Sequence, residues 1–140
     1  MPIQDAVKPV QKVTMSEMAK EFADHFAVVA WGTPGAEGSN KIPVTLQLKN
    51  PLGDNLAAVE RIRLTCTEGA TMGLAVDGDG AVLSGDGSAD MIIETDETGG
   101  VFDLVVTYAE AGTVTVVGGA TQGSGFVDCG ESVDLTFAGE

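Results

Sequence analysis

The side chains able to do chemistry are few, and their spacing does not gather them. The chain has one histidine, His25. It falls among apolar residues on a stretch with helical spacing, where it reads as a surface or boundary residue rather than a general base. Ser124 sits in Gly123-Ser124-Gly125, which is not the Gly-x-Ser-x-Gly elbow, and no second histidine exists to build a triad with it. Gly38-Ser39-Asn40-Lys41 lacks the Gly-Lys-Ser/Thr ending that sets a lysine on phosphate. An enzyme needs convergent reactive groups. The sequence offers no such set, so the expectation is a protein that is not an enzyme, with no catalytic residue and no cofactor.

Carboxylates are plentiful, and Asp77-Gly78-Asp79-Gly80 with Asp86-Gly87-Ser88-Ala89-Asp90 raises the question of calcium. An EF-hand loop beginning at Asp77 would need an oxygen ligand at its fifth position, where Ala81 stands. It would also need a glutamate at its twelfth, where Ser88 stands. Aspartate beside glycine is also what tight turns select, because both accept the backbone angles that turns demand. The turn reading is adopted, and no metal is assigned. Cys66 and Cys129 are too few for a disulfide scaffold and lack metal-ligand spacing. Cys66 shares a face with Ile62 and Leu64 and reads as a small buried hydrophobe. A Cys66–Cys129 bridge stays open, since sequence does not fix the distance between two alpha carbons.

Charge is distributed unevenly. The net charge is −14, yet all seven bases lie at or before Arg63, where seven acids balance them; from Leu64 onward there are fourteen acids and no base. Such a surface repels nucleic-acid phosphates and anionic lipid, so neither nucleic acid nor membrane is an expected partner. It also suggests polarity, with a charge-balanced half that docks and an acidic half that faces solvent. No apolar run approaches the ~20 residues that cross a bilayer. The start, MPIQDAVKPVQK, carries no apolar stretch of the secretory kind, so no export route is expected.

Two elements precede the part of the chain with strand patterning. Residues 1–13 read as an extended arm, because Pro2 and Pro9 oppose a helix. Thr14 with Glu17 forms a capping-box signature, and Met15, Met18, Phe22, Phe26 and Val29 then recur at spacings of three and four. This spacing predicts a short amphipathic helix over about 15–25, with Phe26 to Trp31 equally able to begin a strand. The helix either packs across one end of a sheet or docks on a neighbouring subunit with its Met and Phe side chains as anchors. Trp31 is either a core plug or an interface anchor. Gly32 to Asn40, with Pro34, reads as a flexible break. The expected division is therefore 1–40 for arm, helix and linker, and 41–140 for a β domain.

Within 41–140 the dominant pattern is period-two alternation between glycine-bearing turns, as antiparallel strands with one buried face require. Ile42, Val44, Leu46 and Leu48 alternate with Thr45, Gln47 and Lys49. Ile62, Leu64 and Cys66 alternate with arginines and Thr65, and Met72, Leu74 and Val76 with Thr71, Gly73 and Ala75. Ala81–Leu83 and Ala89–Glu94 come next. The clearest stretch opens with the turn Thr95-Asp96-Glu97-Thr98-Gly99-Gly100, then sets Phe102, Leu104, Val106 and Tyr108 against Asp103, Val105 and Thr107. Thr113–Val117 and Val133–Phe137 close the set. Seven or eight short strands with regular turn signals predict an all-β antiparallel sandwich.

These residues carry a family resemblance. Val44 to Ala57 (VTLQLKNPLGDNLA) resembles the first strand and turn of bacterial immunoglobulin-like domains of the invasin/intimin type, followed by a second strand like Arg61–Thr67. The Thr95-Asp96 turn running into Val106 is its most specific part, and Ala111–Val116 and Ser132–Phe137 fit the same pattern. The resemblance spans about 41–138 and implies an immunoglobulin-like β-sandwich, a reusable spacer and binder. The single copy, the missing export route and the N-terminal arm are similar to what is found on tailed-bacteriophage virions, as head decoration or other accessory proteins.

The expected function is thus a virion structural protein assembled in the host cytoplasm. It would be a capsid decoration (cement) protein binding the major capsid protein or other virion subunits, with itself as a further partner. Met15, Met18, Phe22, Phe26 and Trp31 would form the attachment interface. The alternative is a surface binding module whose loops around Asp77–Asp90 and Gly118–Gly125 contact a host glycan or protein.

Overall fold

The computed structural model describes residues 27–122, 125–128 and 131–139. The expected arm, the helix over 15–25, His25 and four of the five attachment residues (Met15, Met18, Phe22, Phe26) lie outside them, as do Ser124 and Cys129. The described chain is all-β, with ten strands: β1 (Val28–Trp31), β2 (Lys41–Lys49), β3 (Arg61–Cys66), β4 (Thr71–Leu74), β5 (Ala81–Ser84), β6 (Asp90–Glu94), β7 (Val101–Thr107), β8 (Ala111–Gln122), β9 (Gly125–Asp128) and β10 (Val133–Ala138). Every pairing is antiparallel. One sheet has the order β1-β2-β7-β4; the other runs β10-β8-β3-β6-β5, with β9 also paired to β8.

The alternation seen in the sequence is what builds this. Ile42, Val44, Leu46 and Leu48 on β2, and Phe102, Leu104 and Val106 on β7, turn inward from the first sheet. Ile62, Leu64, Met91, Ile93, Val114, Val116, Leu135 and Phe137 turn inward from the second, and all belong to one hydrophobic core. Two antiparallel sheets sharing a core make a β-sandwich. Fully burying each large side chain in that layer contributes about 1.5–3 kcal/mol. The approach of the sheets is close at Gly118, where a Cβ would come within 3.1 Å of Val29 Cγ1.

The ten strands exceed the expected seven or eight because two additional segments pair. The first sheet begins at Val28, ahead of the Gly32–Asn40 break, with Val28 opposite Lys49 and Trp31 opposite Leu46. That break is held rather than loose: Gly32 N–H donates to Thr45 O (2.9 Å), and Gly35 N–H donates to Pro43 O (2.8 Å). Gly38 and Lys41 exchange bonds of 2.9 and 3.0 Å around Ser39 and Asn40, whose φ values of 53° and 64° make a type I′ hairpin turn. At the other end, Gly118 to Gln122 is strand rather than loop. It pairs with β3 on one flank and, from Gly119, with β9 on the other. Strand β4 stops at Leu74, and Val76, which continues the alternation on paper, is 94% exposed in the following turn.

Candidate functional site

The corner where the described chain begins has the most distinctive geometry. Strand β1 is an edge strand, paired on one side with β2. Its other side is closed by Glu131, whose N–H donates to Val29 O (2.9 Å), while Trp31 Nε1–H donates to Glu131 O (2.8 Å). Val29 faces the core and is fully buried, and Trp31 packs against the core from its rim. Lower down, Ala138 N–H donates to Glu37 Oε1 (2.9 Å). The segment from Ala27 to Gly38 is thereby stitched to β2 on one side and to residues 131–138 on the other.

An open groove of about 500 Å³ lies at this corner, lined by Ala30, Trp31, Gln47, Lys49, Asn55 and Glu131 among others. Gln47 is fixed by donating from Nε2 to Leu48 O (2.9 Å) and Gly99 O (2.8 Å). Trp31 packs on the rim of the core and forms one wall of this groove. The other attachment residues lie outside the described chain.

The Thr95-Asp96 turn is a latch. Thr95 is 2% exposed; its hydroxyl donates to Ala58 O (2.7 Å) and accepts from Glu60 N–H (2.9 Å). Asp96 Oδ1 accepts from Gly99 N–H (3.1 Å) and Val101 N–H (3.3 Å). Gly100 has φ 67°, and a Cβ there would collide with Leu56 O. The stretch with the strongest sequence signal therefore clamps the long β2–β3 connection. A smaller open pocket of about 270 Å³ beside it is lined by Val59, Ala81, Glu94 and Asp96 among others.

The glycine-aspartate loops form turns. Asp77 and Gly80 have φ of 57° and 101°. Asp103, from β7, holds the loop by accepting from Thr45 Oγ1–H (2.9 Å) and from Asp79 N–H (2.8 Å). The Asp86–Asp90 loop closes the far edge of the first sheet, since Met72 N–H donates to Ser88 O (3.0 Å) and Gly87 N–H to Met72 O (2.8 Å). Among the described residues, no three His, Cys, Asp or Glu side chains gather as metal ligands.

Two titratable corners complete the picture. Arg63 grips Asp90 through Nε (2.9 Å) and Nη2 (2.6 Å), and these hydrogen bonds hold the Asp90 carboxyl below its usual range. Cys66 is a free thiol whose Sγ lies 3.2 Å from Ala70 O, and burial pushes its pKa up. A thiol so placed is a poor nucleophile. Cys66 pairs with Val116 on one flank of β8, whereas β9, which ends at Asp128, lies on the opposite flank.

No family model matches this chain, and no curated protein matches it. Among solved structures, the crystal structure of the human F-spondin reeler domain (fragment 2) superposes with a TM-score of 0.49 at 12% identity, over 79% of this chain and 90% of that one. At that score the likeness carries no argument about function. No helix among the described residues is long and apolar enough to cross a membrane.

Proposed function

We propose that this chain is a non-enzymatic virion structural protein, a capsid decoration protein whose immunoglobulin-like sandwich is fastened to neighbouring capsid subunits through its N-terminal region. The immunoglobulin-like type is supported by strand order. The order β1-β2-β7-β4 corresponds to the A-B-E-D sheet of that fold and β10-β8-β3 to its G-F-C sheet, with the β5–β6 hairpin extending the second sheet beyond C. Tyr108 also stands at the corner between the E- and F-equivalent strands. Its hydroxyl, however, lies 3.4 Å from the Glu110 carboxylate rather than on backbone, and β3 (RIRLTC) has no tryptophan. Strand order is thus the stronger half of that argument.

The observation that carries the functional reading is the location of positive charge. Every base of the chain lies at or before Arg63, and the described ones lie on β2 and β3. Residues 1–26 join this region at β1, beside the Trp31 groove. Attachment through residues 1–26 and this corner would engage Lys41 and Lys49 of β2 and leave the second sheet, where Arg61 and Arg63 lie among Asp90, Glu94 and Asp134, facing solvent. Stabilisation would then come from interface area that exists once the shell is assembled. The second reading, a binding module acting through its loops, is favoured by Val76, an almost fully exposed apolar side chain at the tip of the 75–80 loop.

The test is copy number. Quantitative mass spectrometry of purified particles should find the chain in hundreds of copies. A few tens or fewer would favour a receptor-binding tip, and absence from particles would overturn the virion reading.

A further inference from the structure

We propose that the open edge of β5 receives residues 6–13 of a neighbouring copy as an added strand, so that copies link arm to edge. This goes beyond the virion reading and stands without it, since Met15 to Trp31 remain for the shell.

The edges of the two sheets are not alike. Glu131 closes β1 through Val29 O, and the Asp86–Asp90 loop closes β4 through Met72. Strand β10 carries Asp134, and its Ala138 amide is taken by Glu37. Strand β5 (AVLS) has no charge and no proline, and Ala81, Leu83 and Ser84 are exposed. Among the described residues, β6 alone hydrogen-bonds to its backbone. Native edges are blunted by charge, proline, a cover, shortness or a bulge. Here only the last two operate: the strand has four residues, with a bulge between Val82 and Ser84. An occupant therefore makes few main-chain bonds and needs a second contact.

That second contact is acidic. An open pocket of about 270 Å³ lies at the Ala81 end of the strand, lined by Val59, Ala81, Glu94, Asp96 and Glu97 among others. Arg61 stands opposite Glu94 on β3, which sets one guanidinium against three carboxylates. Leu83, further along, is an exposed apolar side chain. The edge thus suits an extended segment with bases and aliphatic side chains but no acid.

The chain contains three acid-free stretches with two bases each: 6–16 (Lys8, Lys12), 38–53 (Lys41, Lys49) and 61–67 (Arg61, Arg63). The second and third contain β2 and β3, which already have a strand on either side. The first is left. Its Lys8, Val10 and Lys12 share one face at period two, and Pro9 is tolerated on an edge strand.

Placement favours a neighbour over the same chain. Residues 1–26 join the sandwich at β1, which Glu131 ties to the approach to β10. Strand β5 closes the opposite end of that sheet's order. Residues 14–26 can span about 43 Å at the usual strand rise, which reaches the β5 edge of a copy set alongside. Such contacts are heterologous and repeat from copy to copy.

The test uses the full chain, with Val10 replaced by the photo-cross-linker p-benzoylphenylalanine, as a mixture of unlabelled and nitrogen-15-labelled copies. Irradiation should join position 10 to residues 81–84 in mixed-isotope products. Sedimentation velocity of the parent should show association that rises with concentration. Lys8→Glu/Lys12→Glu and Glu97→Lys should each weaken it at least tenfold. Glu110→Lys, at the opposite end of β7, makes the same change in charge as Glu97→Lys and should not. Thermal melts of all variants should match the parent. A parent chain that stays monomeric at millimolar concentration would overturn the proposal. So would cross-links confined to one chain or to other strands, or equal effects of Glu97→Lys and Glu110→Lys. Each of these outcomes leaves the virion reading intact, because copy number on particles tests that separately.

Discussion

Thr95 and Glu60 hold each other by two hydrogen bonds: the Thr95 amide donates to Glu60 O at 3.1 Å, and the Glu60 amide donates to Thr95 Oγ1 at 2.9 Å. The same hydroxyl donates its proton to Ala58 O at 2.7 Å. One buried threonine thereby ties the β6–β7 turn to the end of the β2–β3 connection. Thr95→Val keeps the shape but leaves the Glu60 amide and the Ala58 carbonyl unpartnered. It should cost about 1–3 kcal/mol, measured as a shift in the urea midpoint at unchanged slope, whereas Thr95→Ser should lose much less. A neutral Thr95→Val would mean that the latch is not what orders this connection.

That latch also shows what can be read from the chain alone. The bonds of Thr95 to Ala58 and Glu60 join residues 37 and 35 positions apart and leave no local mark. Residue types mark the stretch as a turn because the bonds Asp96 accepts from Gly99 and Val101 are local and arise from side-chain chemistry. Alternation on β2, β3, β6, β7 and β10 sets the core for the same reason. Strand β1 is ambiguous in sequence, since four residues are too few to separate period two from helical spacing. Gly118 and Gly119 read as a break, yet they belong to a strand. Gly118 is small because Val29 of the other sheet presses on it, a contact between residues distant in sequence. The partner of Trp31 is likewise hidden, because Glu131 lies a hundred residues away. Of the expected attachment set, only Trp31 falls within the described chain.

Alkaline stability provides a second check. Tyr108 stands edge-on to Phe137, with centroids 5.7 Å apart. Burial first, then the negative charges of Glu110 and Glu68, push its pKa above the ordinary 10.0. Burial likewise raises Cys66 above 9.0. Both groups are acids with raised folded values, so their contribution is fully present below the ordinary values and is lost as pH rises through the folded ones. The melting temperature should be flat at neutral pH and fall above about pH 9, with Tyr108→Phe removing the higher-pH part of the fall. A melting temperature that rises above that pH would contradict this placement of the ring and thiol.

Trp31 is the only tryptophan in the chain, so its fluorescence reports the β1 corner without labelling. If the groove beside it is covered on attachment, its emission should shift to shorter wavelength and become shielded from iodide when particles are added. Trp31→Phe, which deletes the bond to Glu131, should weaken both stability and binding modestly. An emission spectrum and quenching constant unchanged on saturated particles would take Trp31 out of the interface.

The most direct measurement of the central claim is removal of residues 1–26. A cut at Trp31 would strip out the buried Val29 and with it a strand, so the deletion must end before Ala27. The truncated chain should give the same far-ultraviolet spectrum and a cooperative melt, yet fail to decorate stripped particles that the full chain saturates. Decoration at parental occupancy by the truncated chain would contradict attachment through the N-terminal region.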